Sequence, residues 1–193
     1  VCDLLSDGRL NMKELSLYIL DITMNSVKAG AKNISISLGE YDGIFSFSVE
    51  DDGCGMTKEQ LERLSDPFFT TRTTRKVGLG VPFLRMLAEQ TGGYVEIKSR
   101  SEKEYADHGT ELTAVFREDS IDFIPLGDIV STVVTLIQGS PDVDFLFTHT
   151  APGVNVRLDT SEIREVLGED VPLSVPEVLA WIRESLEEQY GQK

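Results

Sequence analysis

The sequence predicts an α+β protein built as a two-layer α/β sandwich, with its helices on one face of a sheet. Three observations carry this. A helical pattern opens the chain, two alternating apolar segments follow across a turn at residues 39–43, and beyond them strand patterns interleave with helical ones. Because consecutive strands are joined by tight turns, a doubly wound parallel sheet is excluded; its neighbours would need long crossovers.

From Asn11 to Ala31 the apolar residues Leu15, Ile19, Ile22 and Met24 recur at helical spacing, and Gly30 is a stop signal. Asn33 to Leu38 then alternates, with Ile34, Ile36 and Leu38 on one face. The chain turns at residues 39–43, and Ile44 to Val49 alternates again, so the pair reads as an antiparallel hairpin. Lys58 to Leu64 is a short helix with Thr57 as its N-cap. Asp66 to Val77 has no period and is rich in Thr and basic residues, which makes it a loop. Val81 to Gln90 is a helix that tolerates Pro82 in its first turn, and Gly92-Gly93 ends it. Tyr94 to Ser99 and Thr110 to Phe116 are two further strands.

Past Glu118 the pattern changes. Leu126 to Gln138 is an apolar helix, and Val143 to Phe147 and Val154 to Leu158 are strands. Ser161 to Leu167 and Pro176 to Tyr190 are helices, the second capped by Ser174 and anchored by Leu179, Trp181 and Ile182. The expected division is a first domain over residues 11–117 and an acidic α/β region over 118–193.

Charge is placed unevenly. The 193 residues carry a net −15, and residues 118–193 hold 15 Asp/Glu against 4 Lys/Arg. A strongly acidic chain repels phosphate backbones, so a nucleic-acid partner is not expected. The acidic region reads first as a solvated surface and second as a face for a basic partner. No apolar run approaches the ~20 residues that span a bilayer, and the N-terminus lacks the order of a signal peptide. With two cysteines, Cys2 and Cys54, there is no disulfide framework. The expected setting is therefore cytoplasmic, without membrane contact.

Three motifs carry chemistry. In the first helix Asp21 and Asn25 lie one turn apart, and Glu14 points within about 20° of Asp21, so one stripe holds two carboxylates and a carboxamide. A carboxamide oxygen is a neutral hard donor suited to Mg²⁺, which takes few protein ligands beside phosphates and water. A carboxylate one turn earlier is placed to orient a water or take its proton, which marks Asp21 and, as a fallback, Glu14. The second motif is Asp51-Asp52-Gly53-Cys54-Gly55-Met56. Its glycines allow close backbone approach and positive φ, and a calcium loop is disfavoured because Cys54 and Met56 supply no oxygen ligand. Cys54 itself reads as a small filler. The third is Gly78-Leu79-Gly80-Val81, which opens a helix whose N-terminal amides can meet a phosphate.

In this order, with Asp66-Pro67-Phe68-Phe69-Thr70-Thr71-Arg72 between the last two and Gly109-Thr110 after them, the motifs resemble the GHKL ATPase superfamily of gyrase, the ninety-kilodalton heat-shock chaperones, histidine kinases and mismatch-repair ATPases. The resemblance covers roughly residues 11–117. It implies a Bergerat-type fold with a mixed, mostly antiparallel sheet, and ATP with Mg²⁺ as cofactors. It makes Asn25 the metal residue and Asp51 the residue that accepts the adenine amino group. It also implies that Gly53, Gly55, Met56, Gly78, Leu79, Gly80, Val81 and Thr110 line the nucleotide. The stretch around Phe69, Thr70, Thr71, Arg72 and Lys76 resembles the short lid of histidine kinases, with Arg72 where lysine is usual.

Two departures matter. Hydrolysing members carry glutamate four residues before the asparagine, where this chain has the shorter Asp21, and Asp52 stands where kinases commonly have asparagine. The resemblance implies a kinase-like enzyme passing the γ-phosphate to a partner protein in trans, with a homodimer also admitted. His108 and His149 lie in loop or strand patterns rather than in a helix beside acidic and basic neighbours, so neither reads as a phosphoacceptor. The alternatives are an ATPase driving a conformational cycle and a non-catalytic, ATP-gated interaction module.

Overall fold

The computed structural model describes residues 13–64, 80–168 and 171–191. Twelve elements follow in order: α1 (Leu15–Lys28), β1 (Asn33–Tyr41), β2 (Ile44–Asp51), α2 (Lys58–Leu64), α3 (Gly80–Gln90), β3 (Tyr94–Arg100), β4 (Gly109–Arg117), α4 (Ile129–Gly139), β5 (Asp144–Ala151), β6 (Val154–Asp159), α5 (Thr160–Leu167) and α6 (Pro176–Gly191). The six strands form one sheet in the order β3-β4-β2-β1-β5-β6, antiparallel throughout except where β1 meets β5.

Alternation decides which face is covered. Ile34, Ile36 and Leu38 on β1, Phe45, Phe47 and Val49 on β2, and Leu112, Ala114 and Phe116 on β4 are all buried on one side. Above them α3, α1, α4 and α6 lie side by side: α1 packs against α3 and α4, α4 against α6, and α6 over β6. Leu15, Ile19 and Ile22 recur at i, i+4 and i+7, so the apolar stripe of α1 faces the sheet centre. Phe116 packs against Phe45, Phe47 and Phe123 with ring centroids 6.1–6.3 Å apart. Each such buried aromatic contributes about 1.5–3 kcal/mol by removal from water. The result is the expected α+β sandwich with a mixed, mostly antiparallel sheet.

The C-terminal strands join this sheet. β5 pairs in parallel with β1, placing Phe145 opposite Ile34 and Phe147 opposite Ile36, and all four belong to one continuous core. The hairpin turn is tighter than the sequence reading, because Asp42 and Gly43 both take positive φ, 50° and 73°, as a two-residue type I′ turn demands. Thr57 caps α2 in a reciprocal arrangement: Gln60 N–H donates to Thr57 Oγ1 (3.4 Å) and Thr57 N–H to Gln60 Oε1 (2.9 Å).

Two expectations shift. The helix expected from Leu126 starts at Ile129, with Asp128 accepting from Ser131 N–H at 2.8 Å. Residues 125 and 126 instead lend their carbonyls to α1, accepting from Leu15 N–H (3.0 Å) and Ser16 N–H (2.8 Å), which satisfies first-turn donors left open in any helix. On α6 the buried residues are Leu179, Ile182 and Leu186, a stripe at i, i+3 and i+7, and Trp181 stands a hundred degrees off it, 54% exposed.

Candidate functional site: one helix joins three motifs

The carboxylate of Asp21 lies against Gly80, the first residue of α3, so closely that a Cβ on Gly80 would collide with it. A side chain at position 80 would push the Asp21 carboxylate out of this place. A carboxylate at a helix N-terminus is also favoured by the exposed N–H groups and the helix dipole. One turn further along α1, Ser26 is buried and its Oγ donates to Asp51 Oδ2 at 2.5 Å, a short charge-assisted bond. Between these two contacts sits Asn25, half-buried, its carboxamide without a partner among the described residues. Helix α1 therefore ties the opening of α3 to the acidic glycine turn and presents Asn25 between them.

The acidic glycine turn is held on every side. Gly53 N–H donates to Asp51 Oδ1 at 2.9 Å, so both carboxylate oxygens of Asp51 are oriented by the protein. A Cβ on Gly53 would sit 2.9 Å from that oxygen and 3.0 Å from Ala29 Cβ. Gly55, at φ +62°, is wedged so tightly on the Arg100 carbonyl that any side chain would clash, and Gly109 abuts the Asp51 carbonyl in the same way. These are close backbone approaches that only glycine permits.

Asp52 faces the other way. Its Oδ1 accepts from the N–H groups of Lys32 (2.7 Å) and Asn33 (2.9 Å), and its Oδ2 accepts from Asn33 Nδ2 (2.7 Å). Partial burial pushes its carboxyl up, but the hydrogen bonds from Asn33 and Lys32 outweigh it and hold the group below the usual carboxylate range. Asp52 is thus a clamp on the α1–β1 turn, and Asp51 is the residue that faces α1.

Thr110 stands opposite Asp51 in the β2–β4 register. Ser99 Oγ accepts from Met56 N–H at 2.8 Å and donates to the Gly109 carbonyl at 3.0 Å. Its single proton is then used, so at 2.8 Å the Thr110 hydroxyl must be the donor to Ser99. The Thr110 lone pairs remain available as acceptors. Val81 is buried in the core beneath α3.

Of the expected site residues, Asp21, Asn25, Asp51, Gly53, Gly55, Met56, Gly80, Val81 and Thr110 lie among the described residues around these contacts. Phe69, Thr70, Thr71, Arg72, Lys76, Gly78 and Leu79 lie outside the described residues. Glu14 is placed differently from Asp21. It precedes α1 as the N-cap residue without a side-chain cap bond, and its carboxylate packs over Gly127, about two turns from Asp21. Four contributors were not singled out as site residues: Ser26, Asp52, Ser99 and His108. Ser26 and Asp52 adjoin named residues in the motifs, which was signal enough. Ser99 and His108 are separated from Met56 and Gly53 by 43 and 55 residues, a pairing only the fold reveals.

A family model described as histidine kinase-, DNA gyrase B-, and HSP90-like ATPase matches residues 11–120, more than half of the chain. The chain belongs to this family. It carries a histidine-kinase-like ATPase domain, and the relatives it matches include sensor kinases. Over 94 residues it is 30% identical to a probable C4-dicarboxylate sensor kinase of Bacillus subtilis, a match covering 49% of this chain and 17% of that protein. Over 88 residues it is 34% identical to sensor histidine kinase ZraS of Klebsiella oxytoca, covering 44% and 19%. The chain spans less than a quarter of the length of these relatives. Among solved structures, the Aquifex aeolicus MutL ATPase domain complexed with ADP aligns with a TM-score of 0.51 at 14% identity, covering 90% of this chain and 88% of that one. That likeness shows the fold.

The histidine-kinase-like ATPase fold gives the contacts above a frame. The family match takes in the segments that α1 holds together and ends at residue 120, before α4, β5 and β6 begin. Among the described residues no helix is long and apolar enough to cross a membrane.

Proposed function

We propose that this chain binds ATP with Mg²⁺ and passes the γ-phosphate to a partner protein in trans. The observation that carries the reading is α1 itself, with Asp21 against Gly80, Ser26 on Asp51 and Asn25 between them. Asn25 suits the metal because its carboxamide is partly exposed and unpartnered among the described residues. A neutral oxygen donor also fits a cation that draws most of its ligands from phosphate and water. When bound, the cation offsets charge on the triphosphate.

The chain's own residues do the rest. Asp51, fixed by Ser26 and Gly53, keeps lone pairs on both oxygens to accept from the adenine amino group. Thr110 offers a second acceptor on the neighbouring strand. The amides opening α3 are donors of the kind a phosphate meets, and Asp21 stands beside them at Gly80. Phosphoryl transfer relies chiefly on positioning and charge stabilisation, so Asp21 serves without being a strong base. Its reach, one methylene short of glutamate, favours transfer or slow turnover over rapid hydrolysis.

The test uses γ-labelled ATP with Mg²⁺, following free phosphate and protein-bound label together, with Asn25→Ala as the blank. Label on an added acceptor protein that disappears in the variant supports the reading. Free phosphate alone, also lost in the variant, makes the chain an ATPase. ATP bound without either product makes it a nucleotide-gated module.

A further inference from the structure

The segment joining β3 to β4 closes over the acidic glycine turn from the side opposite α1. Two successive carbonyls of the turn are taken by this segment: Glu102 N–H donates to the Cys54 carbonyl at 2.9 Å, and His108 Nδ1 lies 2.6 Å from the Gly53 carbonyl. A carbonyl only accepts, so the His108 proton is on Nδ1. His108 is half-buried and supplies the side chain that bonds to the Gly53 carbonyl.

Residue 53 is thereby held at both ends. Its N–H donates to Asp51 Oδ1 at 2.9 Å, and its C=O accepts from His108. Glycine at this position has no side chain to restrict φ and ψ, so its backbone orientation must come from its partners. The same peptide is tethered a second time by Cys54 N–H on the Ala29 carbonyl at 3.0 Å, so release of the Gly53 carbonyl would remove one of two tethers and slacken the N–H that aims the Asp51 carboxylate. Ser26 would still bind the other oxygen, so Asp51 would keep its place and lose its direction.

The geometry points to His108 as a positioning residue for base selection: through the Gly53 backbone it sets the orientation in which the Asp51 carboxylate receives a purine 6-amino group. This rests on the nucleotide reading proposed above. Because the histidine acts through the Gly53 backbone, its effect falls on the discrimination between a 6-amino and a 6-oxo purine more than on triphosphate binding as such. It lines a cavity of about 310 Å³ with Ser99, Arg100 and Thr110.

The experiment compares Mg²⁺-dependent affinities for ATP and GTP by calorimetry in the wild-type chain, His108→Leu and His108→Asn, each checked by thermal melting. His108→Leu keeps bulk without a donor, and His108→Asn keeps an N–H near the Nδ1 position. The expected result is an ATP-over-GTP ratio reduced about fivefold in His108→Leu and largely restored in His108→Asn. An unchanged ratio in folded His108→Leu overturns the proposal while leaving the nucleotide reading intact. A wild-type chain that binds neither nucleotide overturns both. Nitrogen chemical shifts of the His108 ring in the unmodified chain give a reading independent of any variant: a neutral ring protonated on Nε2 overturns the contact on which the proposal stands.

Discussion

The two ends of β1 are built by opposite rules. At its beginning, Asn33 meets Asp52, and the neighbourhood is a lattice of polar contacts in which Ser26, Gly53, Ser99 and His108 each satisfy a specific atom. At its far end, Glu40 lies 3.3 Å from His149 Nε2, a contact of charge outside hydrogen-bond alignment, and His149 Nδ1 is 2.8 Å from the Tyr190 hydroxyl. Beside that end Leu38, Phe45 and Phe47 are buried. The first end spends its polar groups on orienting a turn, and the second spends them on pinning α6 to the sheet. The difference teaches that this sheet has one end built from oriented polar groups and one built for packing.

The strongest way to break the comparison is to remove packing at the second end and watch the first. Phe147→Ala should cost about 3–5 kcal/mol, because the ring is fully buried between β1 and the helices. Since Phe147 and Ile36 share one core, urea unfolding followed by fluorescence and by nucleotide binding should move together; two separated transitions would divide the halves. Asn25→Ala should leave the melting temperature alone and weaken Mg²⁺-ATP binding about ten- to a hundredfold, and undiminished affinity would sink the site. Ser26→Ala removes a bond to a charged group and should cost about 1.5–3 kcal/mol, read as a lower urea midpoint together with weaker ATP binding.

Acidity sharpens the second end. Burial pushes the His149 imidazole below its ordinary 6.5 against the pull of Glu40. As pH falls through 6.5 the unfolded chain takes up the proton first, so stability declines on acidification, by at most about 1.4 kcal/mol per pH unit. Lower still, burial and the Glu40 charge raise the Glu118 carboxyl, which then protonates first in the folded state and pushes the other way. The urea midpoint should therefore drop between pH 7.5 and 6.0, and His149→Gln should flatten that slope. Tyr190, whose hydroxyl is pushed up chiefly by burial, shares a hydrogen bond with His149 Nδ1, and Tyr190→Phe should cost about 1 kcal/mol at neutral pH. Smallest of all, Trp181→Ala on the exposed side of α6 should change stability by no more than about 0.5 kcal/mol.

Much of the polar end was legible because its chemistry restricts residue identity. Asp51, Gly53 and Gly55 sit at fixed spacing for steric reasons, and Asp21 and Asn25 share a helix face by simple rotation. What escaped was every contact that the fold brings together from afar. Nothing near His108 in the chain announces Gly53, and nothing in Leu126 announces that its carbonyl serves Ser16. The strands of the packing end were also legible one by one, from the alternation of Phe145 and Phe147. Their position was not, because parallel pairing leaves no turn signal between β1 and β5. Trp181 was misjudged because an aromatic beside Ile182 invites burial, whereas helix rotation gives the core stripe to Leu179, Ile182 and Leu186.

The parallel pairing of β5 with β1 has a practical meaning. In the whole chain β1 is an interior strand, hydrogen-bonded by β2 on one side and β5 on the other. A piece cut at residue 120, where the family match ends, would bare the full β5-facing row of β1 amides and carbonyls beside Ile34, Ile36 and Leu38. Such an edge is long, flat and apolar, the kind that recruits strands from other molecules and drives aggregation. The acidic segment is, in that sense, the sheet's hem: it closes an edge that the ATPase half leaves raw.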